Sequence, residues 1–188
     1  MKEMRTDTQE GSRELTIFTI GHSTRPIGEF VRLLQLNGVE QVIDIRTIPK
    51  SRFNPQFNSG ELSAALHAHG IEYVHLKDLG GLRRARPDSG NLGWRNAGFR
   101  GFADYMQIPE FLAGLERAIQ LAKRKRSSLM CAEALPWRCH RSLVADALVV
   151  RGVRVEEIVS DAPPKEHKLT IFARVHGMVI TYPKDDRV

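Results

Sequence analysis

The pattern of apolar and polar positions switches repeatedly between strand-like runs and helix-like spacing. Leu15 to Ile20 (LTIFTI) is a short, β-branched apolar run that breaks at Gly21-His22-Ser23-Thr24, which predicts a strand, a turn and a helix cap. From Pro26 to Gly38 the residues Ile27, Phe30, Val31, Leu33, Leu34 and Leu36 recur at helical spacing, and Gly38 stops the helix. Gln41 to Ile45 (QVIDI) is a second buried strand, followed over Thr47 to Asn58 by a loop with two prolines. A helix over Glu61 to His69, closed by Gly70, leads into a third strand at Ile71 to Leu76. Asp78 to Gly101 holds six glycines and no clear period, and helices follow at Phe102 to Gln107 and Pro109 to Lys125. Ser127 to Ala132 is the fourth strand, Pro136 to Arg138 a turn, Cys139 to Arg151 an amphipathic helix ended by Gly152, and Val153 to Val159 the fifth strand. Such alternation predicts an α/β fold, a mostly parallel sheet of about five strands flanked by helices. Beyond a polar linker at 161–168, Leu169 to Tyr182 reads as a β-hairpin turning at His176-Gly177. The expected organisation is a flexible segment over 1–14, the α/β domain over 15–160, and a C-terminal linker and extension over 161–188.

Composition narrows this picture. At 188 residues, 41% hydrophobic and 27% charged, the chain suits one globular domain that buries about two-thirds of its unfolded surface. No apolar run approaches the roughly 20 residues of a bilayer span, and residues 1–14 lack the apolar core of a secretory signal. The expectation is a cytoplasmic protein with no membrane partner. The net charge of +6 rests on 20 Arg against 8 Lys, and Arg suits bidentate contact with phosphate or carboxylate. Eight of the 20 arginines fall in the glycine-rich stretch or in the Cys-His-Arg segment and its helix. An anionic small molecule or a nucleic acid is the expected partner. Two cysteines make no disulfide framework, which leaves reactive, metal-binding or core roles for them.

In an open parallel sheet the ligand site lies beyond the carboxyl ends of the strands. His22 and Ser23 follow strand one, Asp44 and Arg46 end strand two, and Cys131 and Glu133 end strand four, so ionisable groups gather on one rim. Residues two apart on a strand share a face, which pairs Asp44 with Arg46 and Cys131 with Glu133. A carboxylate after an apolar strand is expected to be buried and raised in pKa, which would suit Glu133 to acid/base work. Cys139, near a helix start and flanked by Arg138, His140 and Arg141, is placed to form a thiolate, and that helix start would also bind an anion. Two alternatives stay open. Cys131, Cys139, His140 and His22 offer a tetrahedral ligand set or thiol redox chemistry, although no C-x2-C or H-x3-H spacing is present. Arg83, Arg84, Arg86, Arg95 and Arg100, interspersed with Trp94 and Phe99, would let a non-catalytic module grip a nucleic-acid backbone and stack bases. His67, His69, His75, His167 and His176 read as surface or packing residues.

Several of these pieces recur as an ordered set: Thr19-Ile20-Gly21-His22-Ser23, Asp44-Ile45-Arg46 with Pro49 and Ser51-Arg52, Leu79-Gly80-Gly81, and Cys131-x-Glu133 followed by Cys139-His140-Arg141. Together they resemble the DUF488 family of bacterial and archaeal proteins of unknown function, over roughly Thr16 to Val159. The resemblance implies an α/β domain with a site but no established reaction or cofactor, and it matches the family's two cysteines to Cys131 and Cys139. The expected roles are Cys139 or Cys131 as thiolate, Glu133 and His22 as acid/base groups, and Ser23, Asp44, Arg46, Arg52, Arg138, His140 and Arg141 as contacts to a phosphate-bearing or nucleotide-type anion.

Overall fold

The computed structural model describes residues 14–184, so the segment 1–14 lies, apart from Glu14, outside the described residues. Five strands run parallel: β1 (Thr16–Gly21), β2 (Gln41–Asp44), β3 (Glu72–His75), β4 (Ser127–Cys131) and β5 (Arg154–Ile158). Between them come α1 (Ile27–Leu36), α2 (Ser59–His67), α3 (Ala97–Tyr105), α4 (Pro109–Arg124) and α5 (Arg141–Val149). The sheet order is β3-β2-β4-β1-β5-β6, in which β6 (Lys165–Glu166) is antiparallel to β5. β7 (Arg174–His176) and β8 (Val179–Thr181) form a separate hairpin that turns at Gly177, with φ 60°.

Strand alternation divides the core into two layers. Phe18, Ile20, Val42 and Met130 face one side and pack with Phe30, Leu34, Leu62 and Leu66 of α1 and α2. Ile17, Ile43, Leu129 and Cys131 face the other, against α3, α4 and α5. The chain leaves β1 for β2 beyond one side of β4, and leaves β4 for β5 beyond the other side of β1. Connections that diverge from two adjacent strands open a crevice at their carboxyl ends, and this is where the site residues sit.

Three features depart from the expected elements. The sheet has six strands, because β6 pairs through its backbone with Glu156 and Glu157 in a segment with no apolar alternation. α3 starts at Ala97 rather than Phe102, since the Asn96 side chain accepts hydrogen bonds from Gly98 N and Phe99 N and so caps it early. α5 starts at Arg141 rather than Cys139: a short 3-10 turn over Pro136–Arg138 precedes it, and Cys139 is extended.

The glycine-rich stretch is fixed on Asp104 of α3, whose carboxylate accepts from Arg86 N, Ser89 Oγ and Asn91 Nδ2. The C-terminal extension is held by Tyr182, fully buried, with its N–H donating to Asn91 Oδ1. Among the described residues no helix is long and apolar enough to cross a membrane.

Candidate functional site

β1 and β4 stay together past their ends. His22 N donates to Cys131 O at 2.9 Å and Ser23 N to Ala132 O at 2.8 Å. Gly21 permits this approach, because a Cβ there would fall 1.8 Å from Glu133 O. The chain then turns at Ser23, which has φ 51°, the one positive φ of a non-glycine among the described residues. A polar residue in that left-handed region stores of order 1 kcal/mol of strain and is held only by its surroundings.

Behind this turn lies a buried charge pair. Asp44 is fully buried and Arg46 nearly so, and the guanidinium grips the carboxylate with Nε at 2.9 Å from Oδ1 and Nη2 at 2.6 Å from Oδ2. Tyr73 Oη donates to Asp44 Oδ2 at 2.8 Å, and burial together with the Asp44 charge pushes the phenol's pKa up and keeps it a donor. Arg46 Nη2 also donates to Phe57 O, and Nη1 reaches His22 Nε2 at 3.3 Å. Since His22 Nδ1 faces the Ser23 carbonyl, an acceptor only, Nδ1 carries the proton and Nε2 accepts from Arg46. Burial, with the Arg46 charge, lowers the His22 pKa and keeps this ring neutral; it stacks on Phe57 at 4.2 Å. Of the five N–H donors of a guanidinium, Arg46 thus commits four and keeps one on Nη1.

The crevice is a cleft of about 560 Å³, and Cys131, Cys139 and His140 all line it. His140 Nδ1 lies 3.8 Å from each sulfur, and the three atoms fall within 4.8 Å of one another. Its other nitrogen, Nε2, lies 3.1 Å from Leu79 O and 3.3 Å from Ile45 O, so Nε2 is the protonated nitrogen and the Nδ1 lone pair faces the sulfurs. Both thiols are free and buried. They titrate as a pair: the hydrogen bond from Cys139, with the Arg141 charge alongside, holds Cys131 well below the ordinary thiol range, while that same bond and burial push Cys139 well above it. Gly81 leaves room for the imidazole, since a Cβ there would fall 2.4 Å from His140 Nδ1.

His22, Ser23, Arg46, Glu133 and Arg138 also line this cleft. Other expected site residues fall elsewhere. Asp44 sits behind Arg46 rather than in the cleft. Arg52 is exposed and outside the lining, where Lys50, Ser51 and Asn54 of the same loop appear instead. Arg141 is 1% exposed, and its guanidinium donates to Ile20 O, Glu133 O and Ala134 O, clamping backbone rather than an anion. Glu133 is exposed and not buried as expected: β4 ends at Cys131, so strand alternation does not extend to 133. His22 stands apart from the sulfur group, with both ring nitrogens engaged.

The arginine-rich stretch also differs from the expected base-stacking surface. Trp94 stacks on Phe99 at 4.6 Å and meets Phe172 and Tyr182, so its ring belongs to the packing. Arg83 lies over the Tyr105 ring, Arg86 pairs with Asp88, and Arg100 donates to the carbonyls of Trp94 and Arg95. Phe57, Tyr73 and Lys50 are site components that sequence reasoning missed, and Gly81 was singled out only within the Leu79-Gly80-Gly81 motif, without a role. Only Gly81 carried a signal, as a paired glycine after the third strand.

No curated protein and no solved structure matches the chain. A family model described as "Domain of unknown function DUF488" matches residues 26–148, which takes in Arg46, Cys131, Cys139 and His140 and leaves His22 and Ser23 just outside. On that match over most of its length, with the α/β fold and the ordered site residues in place, the chain belongs to the DUF488 family.

Proposed function

We propose that the protein is an enzyme that binds a phosphate-bearing small anion in this cleft and acts on it with the Cys131–Cys139–His140 centre at the cleft floor. The observation that carries this reading is the convergence of two sulfurs and one imidazole lone pair within 4.8 Å of one another, at a wall that also bears Arg46, Lys50 and Arg138. Glu133 is the one carboxylate in that lining, so the cleft's charge balance favours an anion. Arg46 is a rigid donor, fixed by Asp44 and offering its remaining N–H. Lys50 and Arg138 are the adjustable cations. Glu133 is the solvent-facing carboxylate of the cleft, and neutral His22 keeps Arg46 oriented.

The test is calorimetric titration with inorganic phosphate and pyrophosphate. A charge-assisted hydrogen bond contributes about 1.5–3 kcal/mol, so Lys50→Ala combined with Arg138→Ala is expected to weaken binding by at least about tenfold. Cys131→Ser is expected to leave that binding in place and to abolish turnover of any phosphate ester the native protein consumes. Equal phosphate binding by the native protein and the double variant would overturn the anion reading, and full turnover by Cys131→Ser would overturn the catalytic one.

A further inference from the structure

We infer that Cys131, Cys139 and His140 form a site for a soft divalent metal ion, zinc in the first place, with three protein ligands and a fourth position open to the cleft. This deepens the function proposed above by naming the cofactor of the same centre, and rests on it only for what the open position serves.

Geometry is the first argument. With Zn–S of about 2.3 Å and Zn–N of about 2.0–2.1 Å, ligands at tetrahedral to trigonal angles stand about 3.5–3.8 Å apart across an S···N edge. Both S···N distances here are 3.8 Å. Both S···N edges therefore match those of one ion held between the imidazole and each sulfur, and the three atoms lie within 4.8 Å of one another.

The second argument is the surrounding hydrogen bonds. A metal-ligating histidine characteristically donates its other N–H to a carbonyl or carboxylate, which fixes tautomer and ring plane. His140 Nε2–H faces Leu79 O and Ile45 O, carbonyls from two separate segments, and thereby turns the Nδ1 lone pair onto the sulfurs. Arg141 N–H donates to Cys139 Sγ at 3.4 Å, an outer contact that steadies a thiolate ligand. Gly81 keeps the space in front of Nδ1 clear.

Access is the third. All three residues line the cleft, while their exposures of 7% for Cys131 and 3% for Cys139 show that protein closes the other sides. Three protein ligands with one open direction is the arrangement of catalytic rather than structural zinc, where a water or a substrate oxygen takes the fourth place. The donor set, two sulfurs and one imidazole nitrogen, selects zinc and its soft neighbours over magnesium or calcium, which take oxygen ligands.

The test uses full-length protein purified without a histidine tag, stripped with a chelator and titrated with Co²⁺. The expected result is one cobalt per chain, with a near-ultraviolet thiolate-to-cobalt charge-transfer band and intense visible bands of a four-coordinate ion, all displaced by Zn²⁺. Cys139→Ser should lower the charge-transfer band to about half, because that band scales with the number of thiolate ligands. His140→Asn should weaken zinc binding by more than about a hundredfold, beyond what loss of an outer contact costs, whereas Arg84→Ala should leave it unchanged. Absence of the charge-transfer band in the native protein would overturn the inference, and that measurement needs no variant to fold. A band that survives in Cys131→Ser/Cys139→Ser would overturn it as well. Cobalt bound through thiolate with no phosphate binding removes the anion reading and keeps the metal site. Phosphate binding without the band does the reverse.

Discussion

Two buried polar clusters meet α5, one at its start and one at its middle, and they differ in what they leave unmade. At the middle, Asp146 is fully buried and wholly engaged: Oδ1 accepts from His167 Nε2 and Thr170 N, and Oδ2 from Tyr182 Oη. His167 Nδ1 in turn pairs with Glu157 at 2.8 Å. At the start, the two cysteines, His140 and Arg46 line a cleft, with only long 3.8 Å contacts between the His140 lone pair and the sulfurs and with one Arg46 N–H uncommitted. Buried polar groups are normally satisfied within the fold. The Asp146 cluster obeys that rule and works as a clasp between the C-terminal extension, α5 and β5. The cleft cluster holds chemistry in reserve, and unengaged valence at a cavity, rather than buried polarity as such, is what points to function.

The strongest way to break this comparison is Asp146→Ala. It strands a buried imidazolium, a phenol and a backbone N–H, and removal of one partner from a buried charge pair costs about 3–5 kcal/mol. The urea midpoint should fall accordingly, while the folded variant keeps phosphate binding in the cleft. A loss below about 1 kcal/mol, within what one ordinary hydrogen bond contributes, would show that the cluster is no clasp.

Next in size is the pH response of the same cluster. Burial pulls the His167 pKa down, but hydrogen bonds and charges from Asp146 and Glu157 outweigh it and hold it at about 9, above the ordinary 6.5. A group whose pKa is raised by folding gives its full stabilisation below its unfolded pKa and loses it as pH rises through the folded one. The contribution, about 3 kcal/mol, should therefore be complete below pH 6.5 and gone above about pH 9. Denaturation midpoints followed from pH 6 to pH 10 should fall in the native protein and stay flatter in His167→Gln. Parallel profiles would refute the assignment.

The smallest expected effect on stability sharpens the other side. Gly81→Ala places a methyl group against the His140 imidazole, and overpacking of this kind costs about 1–3 kcal/mol. Its larger consequence is local: the ring turns away from the sulfurs, so reactivity of the two thiols towards iodoacetamide should change although the Asp146 cluster is intact. Unaltered thiol reactivity would show that Gly81 is only a turn residue.

Much of the fold was legible because the apolar runs were long enough to carry a period. β1, β2 and β4 are buried over almost all of their four to six residues around short apolar centres (Ile17-Phe18, Val42-Ile43 and Leu129-Met130), and α1 shows an apolar face from Phe30 to Leu34. β6 was not legible, since two exposed residues joined by backbone bonds leave no side-chain pattern. The start of α3 depended on one asparagine cap within a glycine-rich stretch. In the site, Asp44 and Arg46 were readable as a pair from their spacing of two at the end of the second strand, although β2 itself stops at Asp44. Arg141 was misassigned because an arginine beside a helix start looks the same in sequence whether it meets an anion or three backbone carbonyls.

Sequence by itself determined the parallel α/β plan, the rim on which the polar residues fall, and the segment that carries both cysteines, because periodicity and chain order are local properties. Tertiary structure alone decided that His140, and not His22, joins the two sulfurs, that Arg46 keeps one donor while Arg141 keeps its guanidinium on backbone, and that Glu133 stands at the mouth. Those outcomes depend on which carbonyls and rings arrive from Leu79, Ile45 and Phe57, segments separated by tens of residues. A side chain's free lone pair is whatever its neighbours leave over, and neighbours are set by packing.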